Sequence, residues 1–288
     1  MRRTWAWAGC GAAVIVAAGI VVTIDPSVTG LAARPDHRAA LAAVAQRSGP
    51  GSEVAGGEGA TGPATTVPPL PLRAPAAAAR ATSTAPPAVP PHLVATASVA
   101  SVAVYPSPAA AGPSASLASP NSYGAPLVML VVAERGHWLR VMLPERPNGS
   151  EGWVRADQVG LATDDMSVVV SLSAHQLEVR QGTRVVDRLP VAVGSPSSPT
   201  PTGHFYLTEL LKPADAGGPY GPLAFGTSAY SNVYTHFAGG PGQVGVHGTD
   251  EPWVIGQSAS HGCIRLTDAG ILRLAHEVRV GTPLTVTP

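Results

Sequence analysis

The sequence predicts a mainly β protein: a small barrel, then a larger antiparallel β-domain with one C-terminal helix. Three observations carry this. Short β-rich runs recur from Leu93 to the C-terminus, separated by turns containing Gly, Pro or Asn. Trp138, Arg140 and Met142 alternate with Leu139, Val141 and Leu143, the period of two of a half-buried strand. A helical period is seen only near residues 268–278, where Ile271, Leu274, Ala275 and Val278 line one face and Thr267 or Asp268 can cap it.

Taken in order, residues 1–24 read as a transmembrane anchor or signal segment. Arg2 and Arg3 precede an uncharged run over residues 4–24 that ends at Asp25-Pro26. At about 1.5 Å of rise per residue this run approaches the hydrocarbon thickness of a bilayer. The flanking positive charge would leave the rest of the chain outside the cell. An uncleaved anchor is favoured over a cleaved signal, whose apolar region is usually shorter. Residues 25–92 are a low-complexity tract of Ala, Pro, Gly, Thr and Ser without apolar periodicity. Such a tract buries too little surface to offset its ordering entropy and reads as a disordered linker. Residues 93–163 carry short strands at 98–105, 127–133, 137–143 and 152–154, with Asn148-Gly149 as a turn before the last. Trp138 and Trp153 are read as core residues of this module rather than as a ligand groove. Residues 165–288 hold strands at 167–172, 177–179, 185–193, 203–210, 243–247 and 284–287, then the helix. A Gly/Pro-rich loop over residues 217–222 has the character of a segment bordering a binding site.

Composition narrows the chemistry. The formal net charge is zero and only 12% of residues are charged. No basic stripe is present to neutralise phosphates, so nucleic acid is excluded as a partner. Of two cysteines, Cys10 lies in the apolar N-terminal run and Cys263 near the other end, leaving one free thiol in the exported part. A lone cysteine is most often a small buried hydrophobe, but its neighbours here argue otherwise. Val246-His247-Gly248-Thr249 precedes Ser260-His261-Gly262-Cys263-Ile264-Arg265. An imidazole can take the proton of a nearby thiol, and a Gly-containing loop can aim backbone N–H groups at an oxyanion. His247 ends a predicted strand, and the N–H groups of Gly262 and Cys263, with that of His261 possible, are the natural oxyanion donors. A zinc site from His247, His261 and Cys263 fits no usual ligand spacing and lacks a fourth ligand. A papain-like protease is disfavoured because there the cysteine precedes the histidine.

These motifs resemble the L,D-transpeptidases with a YkuD catalytic domain. The interval of 263 − 247 = 16 positions between histidine and cysteine is compatible with that family. Pro199-Thr200-Pro201-Thr202-Gly203-His204-Phe205 resembles its Thr-Pro-Thr-Gly strand entry. Val104-Tyr105-Pro106, residues 136–141 and Gly152-Trp153-Val154 resemble bacterial SH3-like domains. The resemblance implies a YkuD-like β-sandwich over residues 165–288, with Cys263 as nucleophile, His247 as base and the Gly248 carbonyl orienting the imidazole. It places His261, Gly262 and Ser260 at the oxyanion and substrate site. Arg265, where many members carry Asn, and Tyr230 or Tyr234 would border the pocket. The implied reaction forms 3→3 peptidoglycan cross-links through a Cys263 acyl-enzyme, releasing terminal D-Ala, with stem peptides as donor and acceptor. It needs no metal or organic cofactor and takes place outside the cell membrane, facing the wall. The alternatives are an L,D-carboxypeptidase, a protein-to-wall attachment acyltransferase, or a non-catalytic wall-binding protein.

Overall fold

The computed structural model describes residues 90–288 and two short strands nearer the N-terminus, β1 (Val14–Ala17) and β2 (Ile20–Thr23), which pair antiparallel. Most of the expected anchor at 1–24, and the expected linker as far as residue 89, lie outside the described residues. What is described of the anchor is strand. Among the described residues no helix is long and apolar enough to cross a membrane, so a transmembrane helix at 1–24 is without support in the structure.

The first module contains β3 (His92–Ala97), β4 (Ser101–Val104), β5 (Ala115–Ala118), β6 (Val128–Arg135), β7 (Trp138–Met142), β8 (Glu151–Arg155) and β9 (Val159–Asp164). Five of these form an antiparallel sheet in the order β8-β7-β6-β3-β9, and β4 pairs with β5. Ala95, Val102, Val104, Met129, Leu139, Val141 and Val154 fill a core of its own. The period of two in β7 therefore holds, with Leu139 and Val141 inward. The two tryptophans do not join that core. Trp138 and Trp153 are half-buried, and the Trp138 indole stacks edge-on against Tyr105 at 4.9 Å. The module is all-β, as the sequence predicts, but its likeness to SH3-like domains rests on the short motifs alone.

The second module contains β10 (Met166–Ser171), β11 (Gln176–Gln181), β12 (Arg184–Pro190), β13 (Val193–Gly194), β14 (Gly203–Pro213), β15 (Ala224–Tyr230), β16 (Gln243–His247), β17 (Ser258–Ser260) and β18 (Ile264–Arg265). The helix α1 (Asp268–Glu277) and the strand β19 (Pro283–Thr287) complete it. The sheet order is β12-β11-β10-β19-β14-β15-β16-β18. Pairing is antiparallel except between β10 and β19 and between β16 and β18. The long strand β14 joins the halves: residues 203–206 pair with β19 and residues 207–211 with β15, across a register shift between Leu207 and Glu209. Inward side chains of both halves, among them Val170, Phe205, Phe225, Val246 and Ile264, meet in one cluster. Helix α1 adds Ile271 and Leu274 to that cluster, and Thr267 caps it by accepting from the Gly270 N–H at 3.1 Å.

The two modules have separate cores but form one compact unit. Tyr206 is fully buried against Leu130 and Met142, and its hydroxyl donates to the Val128 carbonyl at 3.0 Å. Asp164, at the junction, is buried and accepts from Thr282 Oγ1 at 2.6 Å and from the Met166 N–H at 3.1 Å.

Candidate active site

Parallel pairing of β16 with β18 is what brings the two halves of the motif together. Val246 pairs with Ile264 and His247 with Arg265, so Gly245, one residue before Val246, lies beside Cys263, one residue before Ile264. The Gly245 N–H reaches Cys263 Sγ at 3.4 Å. A Cβ placed on Gly245 would sit 3.5 Å from His247 Cδ2 and 3.9 Å from Cys263 Sγ. Imidazole and sulfur thus crowd the same point, and the absence of a side chain at 245 leaves that point open. Both residues line a cavity of about 280 Å³.

His247 is buried, and its Nδ1 lies 2.6 Å from the Gly248 carbonyl oxygen. A carbonyl can only accept, so Nδ1 carries the hydrogen, and in the neutral ring Nε2 keeps its lone pair. Burial pushes the imidazole down to about 4, against the raising effect of the Gly248 carbonyl, with Arg265 lowering it further. The Cys263 thiol moves the other way. Burial raises it, while the Gly245 N–H and Arg265 pull it back in part. At neutral pH the site therefore holds a thiol and a neutral imidazole rather than a preformed ion pair. The Tyr220 ring lies over His247, with centroids 4.9 Å apart. The Gly/Pro-rich loop that carries Tyr220 is seated by close packing: a Cβ on Gly221 would strike Gly248 and the Asp268 carboxylate, and Gly221 also has φ +62°. The loop expected to border a site does so.

The Cys263 loop is pinned from beneath by the segment holding the Thr-Pro-Thr-Gly motif. Thr200 Oγ1 donates to the Gly262 carbonyl at 2.9 Å and accepts from the Gly194 N–H at 2.8 Å. The Ser260 carbonyl accepts from the Ser195 N–H at 2.9 Å and from Ser198 Oγ at 3.2 Å. Ser260 Oγ donates to the Cys263 carbonyl at 2.6 Å and accepts from the Gly262 N–H at 3.1 Å. Through that last bond the Gly262 N–H is engaged within its own loop, which leaves the N–H groups of Cys263 and His261 as the other candidate oxyanion donors. Gly262 has φ +117°, a backbone that β-carbon-bearing residues rarely adopt.

The other expected residues are placed differently. Arg265 is bound by Glu251 at 2.7 Å, leaving its buried Nε without a hydrogen-bond partner. His261 is exposed and packs against Phe237 at 5.3 Å and Tyr234 at 6.1 Å between ring centroids. Tyr230 does not line the cavity. Its hydroxyl donates to the Pro144 carbonyl at 2.7 Å, so it faces the first module, and the aromatic ring beside the imidazole belongs to Tyr220. The sequence reading missed Tyr123 and Glu209, which line the cavity from β-register and module packing that no short motif encodes. Among the described residues no cluster of three or more His, Cys, Asp or Glu side chains is arranged to hold a metal ion.

Residues 165–286 match the family of L,D-transpeptidase catalytic domains called YkuD. The chain is 34% identical over 119 residues to a YkuD protein of Bacillus subtilis, covering 41% of this chain and 64% of that one, a little under two thirds of its length. It is 31% identical over 156 residues to a YkuD protein of Bacillus licheniformis, covering 52% of this chain and 86% of that one. Among solved structures, an L,D-transpeptidase from Mycobacterium smegmatis is 19% identical, covers 56% of this chain and 90% of its own, and has a TM-score of 0.34.

Proposed function

The chain belongs to the YkuD family of L,D-transpeptidase catalytic domains, and from that premise we propose that it cross-links peptidoglycan through an acyl-enzyme on Cys263. The observation that supports this reading is a thiol and a neutral imidazole that both flank Gly245, the imidazole keeping its Nε2 lone pair because Nδ1 donates to the Gly248 carbonyl. As Sγ attacks the carbonyl of the third residue of a tetrapeptide stem, Nε2 takes the thiol proton and the C–S bond forms. The Cys263 N–H donates to the developing oxyanion. Collapse breaks the C–N bond to the terminal D-Ala, whose leaving amine takes the proton from His247. The amine of the third residue on a second stem then attacks the thioester. The new C–N bond closes a 3→3 cross-link as the C–S bond breaks, and the proton of the attacking amine returns to the departing sulfur through the imidazole.

This chemistry puts the protein outside the cytoplasmic membrane, facing the wall. The charged start and uncharged run of residues 1–24 are the sequence's reason to expect attachment there, which cell fractionation tests. Incubation of the full chain with purified disaccharide-tetrapeptide, with products read by mass, tests the reaction. Cross-linked dimer is the expected product. Tripeptide alone would make the protein an L,D-carboxypeptidase, transfer to a protein amine would make it an attachment enzyme, and no product would leave a wall-binding role.

A further inference from the structure

Glu209 is a carboxylic acid in the cavity that the acylation chemistry leaves unused. It is buried, yet it lines the same cavity as Cys263 and His247. Its oxygens accept from two neutral amides, Asn121 Nδ2 at 3.1 Å and Gln243 Nε2 at 3.0 Å. Among the described residues no arginine or lysine forms an ion pair with it. The ionisable groups coupled to it are Tyr123, Tyr206 and Tyr230, none of which can supply positive charge. A buried carboxylate held only by neutral donors is costly as an anion and gains most from a cation that arrives with a ligand.

Register aims this carboxylate at the nucleophile. Glu209 pairs with Gly226 across β14 and β15, and Gly226 pairs with Gly245 across β15 and β16. Gly245 in turn touches Cys263 Sγ. A Cβ on Gly226 would collide with Glu209 Oε1, so the carboxylate reaches over Gly226 on the face where the sulfur flanks Gly245. Two neighbouring glycines make a floor without side chains between acid and thiol. Strands lie about 4.8 Å apart, which sets the gap at about one to two spacings. A nitrogen hydrogen-bonded to the carboxylate at about 2.9 Å, and about 3–3.5 Å from an acyl carbon on Cys263, spans a gap of that size.

We propose that Glu209 is the residue that receives the charged primary amine of the acyl acceptor and presents it to the Cys263 thioester, so that it selects an ammonium-bearing acceptor over water. This rests on the acyl-enzyme reading above. The docked ammonium gives one proton to the Glu209 carboxylate, and the neutral amine attacks the thioester carbonyl. The C–N bond forms and the C–S bond breaks. The second nitrogen proton passes through His247 to the departing sulfur, and Glu209 returns its proton to solvent. Burial holds the Glu209 carboxyl up at about 7, where it can take and release a proton near neutrality.

The test compares full-length wild type with Glu209→Gln, reading acyl-enzyme by intact mass and the ratio of dimer to tripeptide by product mass. In the variant acyl-enzyme still forms, but the dimer-to-tripeptide ratio falls at least about tenfold, with part recovered in Glu209→Asp. An unchanged ratio overturns the proposal. Wild type alone gives a second test, in case the variant does not fold. A stem peptide with its acceptor amine dimethylated keeps the charge and should compete with the acceptor, whereas the acetylated stem should compete at least about tenfold more weakly. Equal competition by the two overturns the proposal. Absence of any acyl-enzyme on wild-type Cys263 would instead strike the underlying reaction.

Discussion

Two of the loops that wall the cavity are held in different ways. The loop carrying Cys263 is fastened by its own module: Thr200 to the Gly262 carbonyl, Ser198 to the Ser260 carbonyl, and Ser260 to the Cys263 carbonyl. The flap over residues 231–242, whose Phe237 and Gly239 to Gly242 also line the cavity, is fastened by the other module. Arg146 donates to the carbonyls of Ser231 at 2.7 Å, Tyr234 at 2.9 Å and Pro241 at 3.2 Å. Asn148 exchanges two hydrogen bonds with the Tyr230 backbone, each 2.8 Å. Tyr123 also reaches the cavity from that module. The groups proposed to make and break bonds are therefore held from within their own module, while this second wall depends on a neighbour. Changes at the first should alter turnover, and changes at the second should alter substrate affinity.

The largest break should come at His247. His247→Gln should lower kcat/KM by about 10²–10⁴-fold, the usual range for a positioned base, in a protein that still folds. The pH profile sharpens the same point. A base held at about 4 by burial stays neutral above that value, so acylation of Cys263 should be lost only as pH falls through about 4. An acid limb of acylation near 6.5, where a solvated histidine titrates, would contradict the buried neutral imidazole.

Next in size is Thr200→Val, which removes the donor to Gly262 and the acceptor for Gly194. Leaving these buried groups unpaired should cost about 1–3 kcal/mol in denaturant unfolding. A small shift of the nucleophile should also lower kcat by up to about 10²-fold. Arg146→Ala should act on the other wall. Loss of three charge-assisted bonds loosens the flap, and KM should rise about tenfold with kcat within about threefold. A fall in kcat with unchanged KM would erase the distinction between the two loops. The smallest effect is expected for Glu251→Gln. Its partner Arg265 is largely buried, but Glu251 itself is half exposed, so stability should change by no more than about 1 kcal/mol.

What the sequence revealed follows from how local each feature is. Helix α1 was legible because its cap at Thr267 and its apolar face at Ile271, Leu274 and Val278 lie within a dozen residues. Strand β16 was legible too, since its apolar residues alternate with Gly245. Strand β15 was not. Ala224 to Ala229 are all buried, so no period of two survives, and Gly226 and Ser228 weaken the β signal. The same contrast holds at the site. Cys263, His247 and Gly248 stand in short motifs whose chemistry can be read without a fold. Which tyrosine meets the imidazole could not be read, because Tyr220, Tyr230 and Tyr234 differ only in where β15 and its flanking loops carry them. The role of Thr200 was visible only as a recurring motif, and the structure supplies its physical reason in the Gly262 carbonyl. Glu209 left no mark in the sequence, since its position against Cys263 depends on two strand registers and a pair of glycines.

Everything proposed for the site requires that the Cys263 sulfur become acylated by a peptidoglycan stem with His247 as base. Intact-protein mass after mixing with disaccharide-tetrapeptide, followed by peptide mapping, measures this directly. The expected mass increase equals the stem less its terminal D-Ala, located on Cys263 and absent from Cys263→Ala. Cross-linked product from Cys263→Ala, or an adduct mapped to another residue, would contradict it.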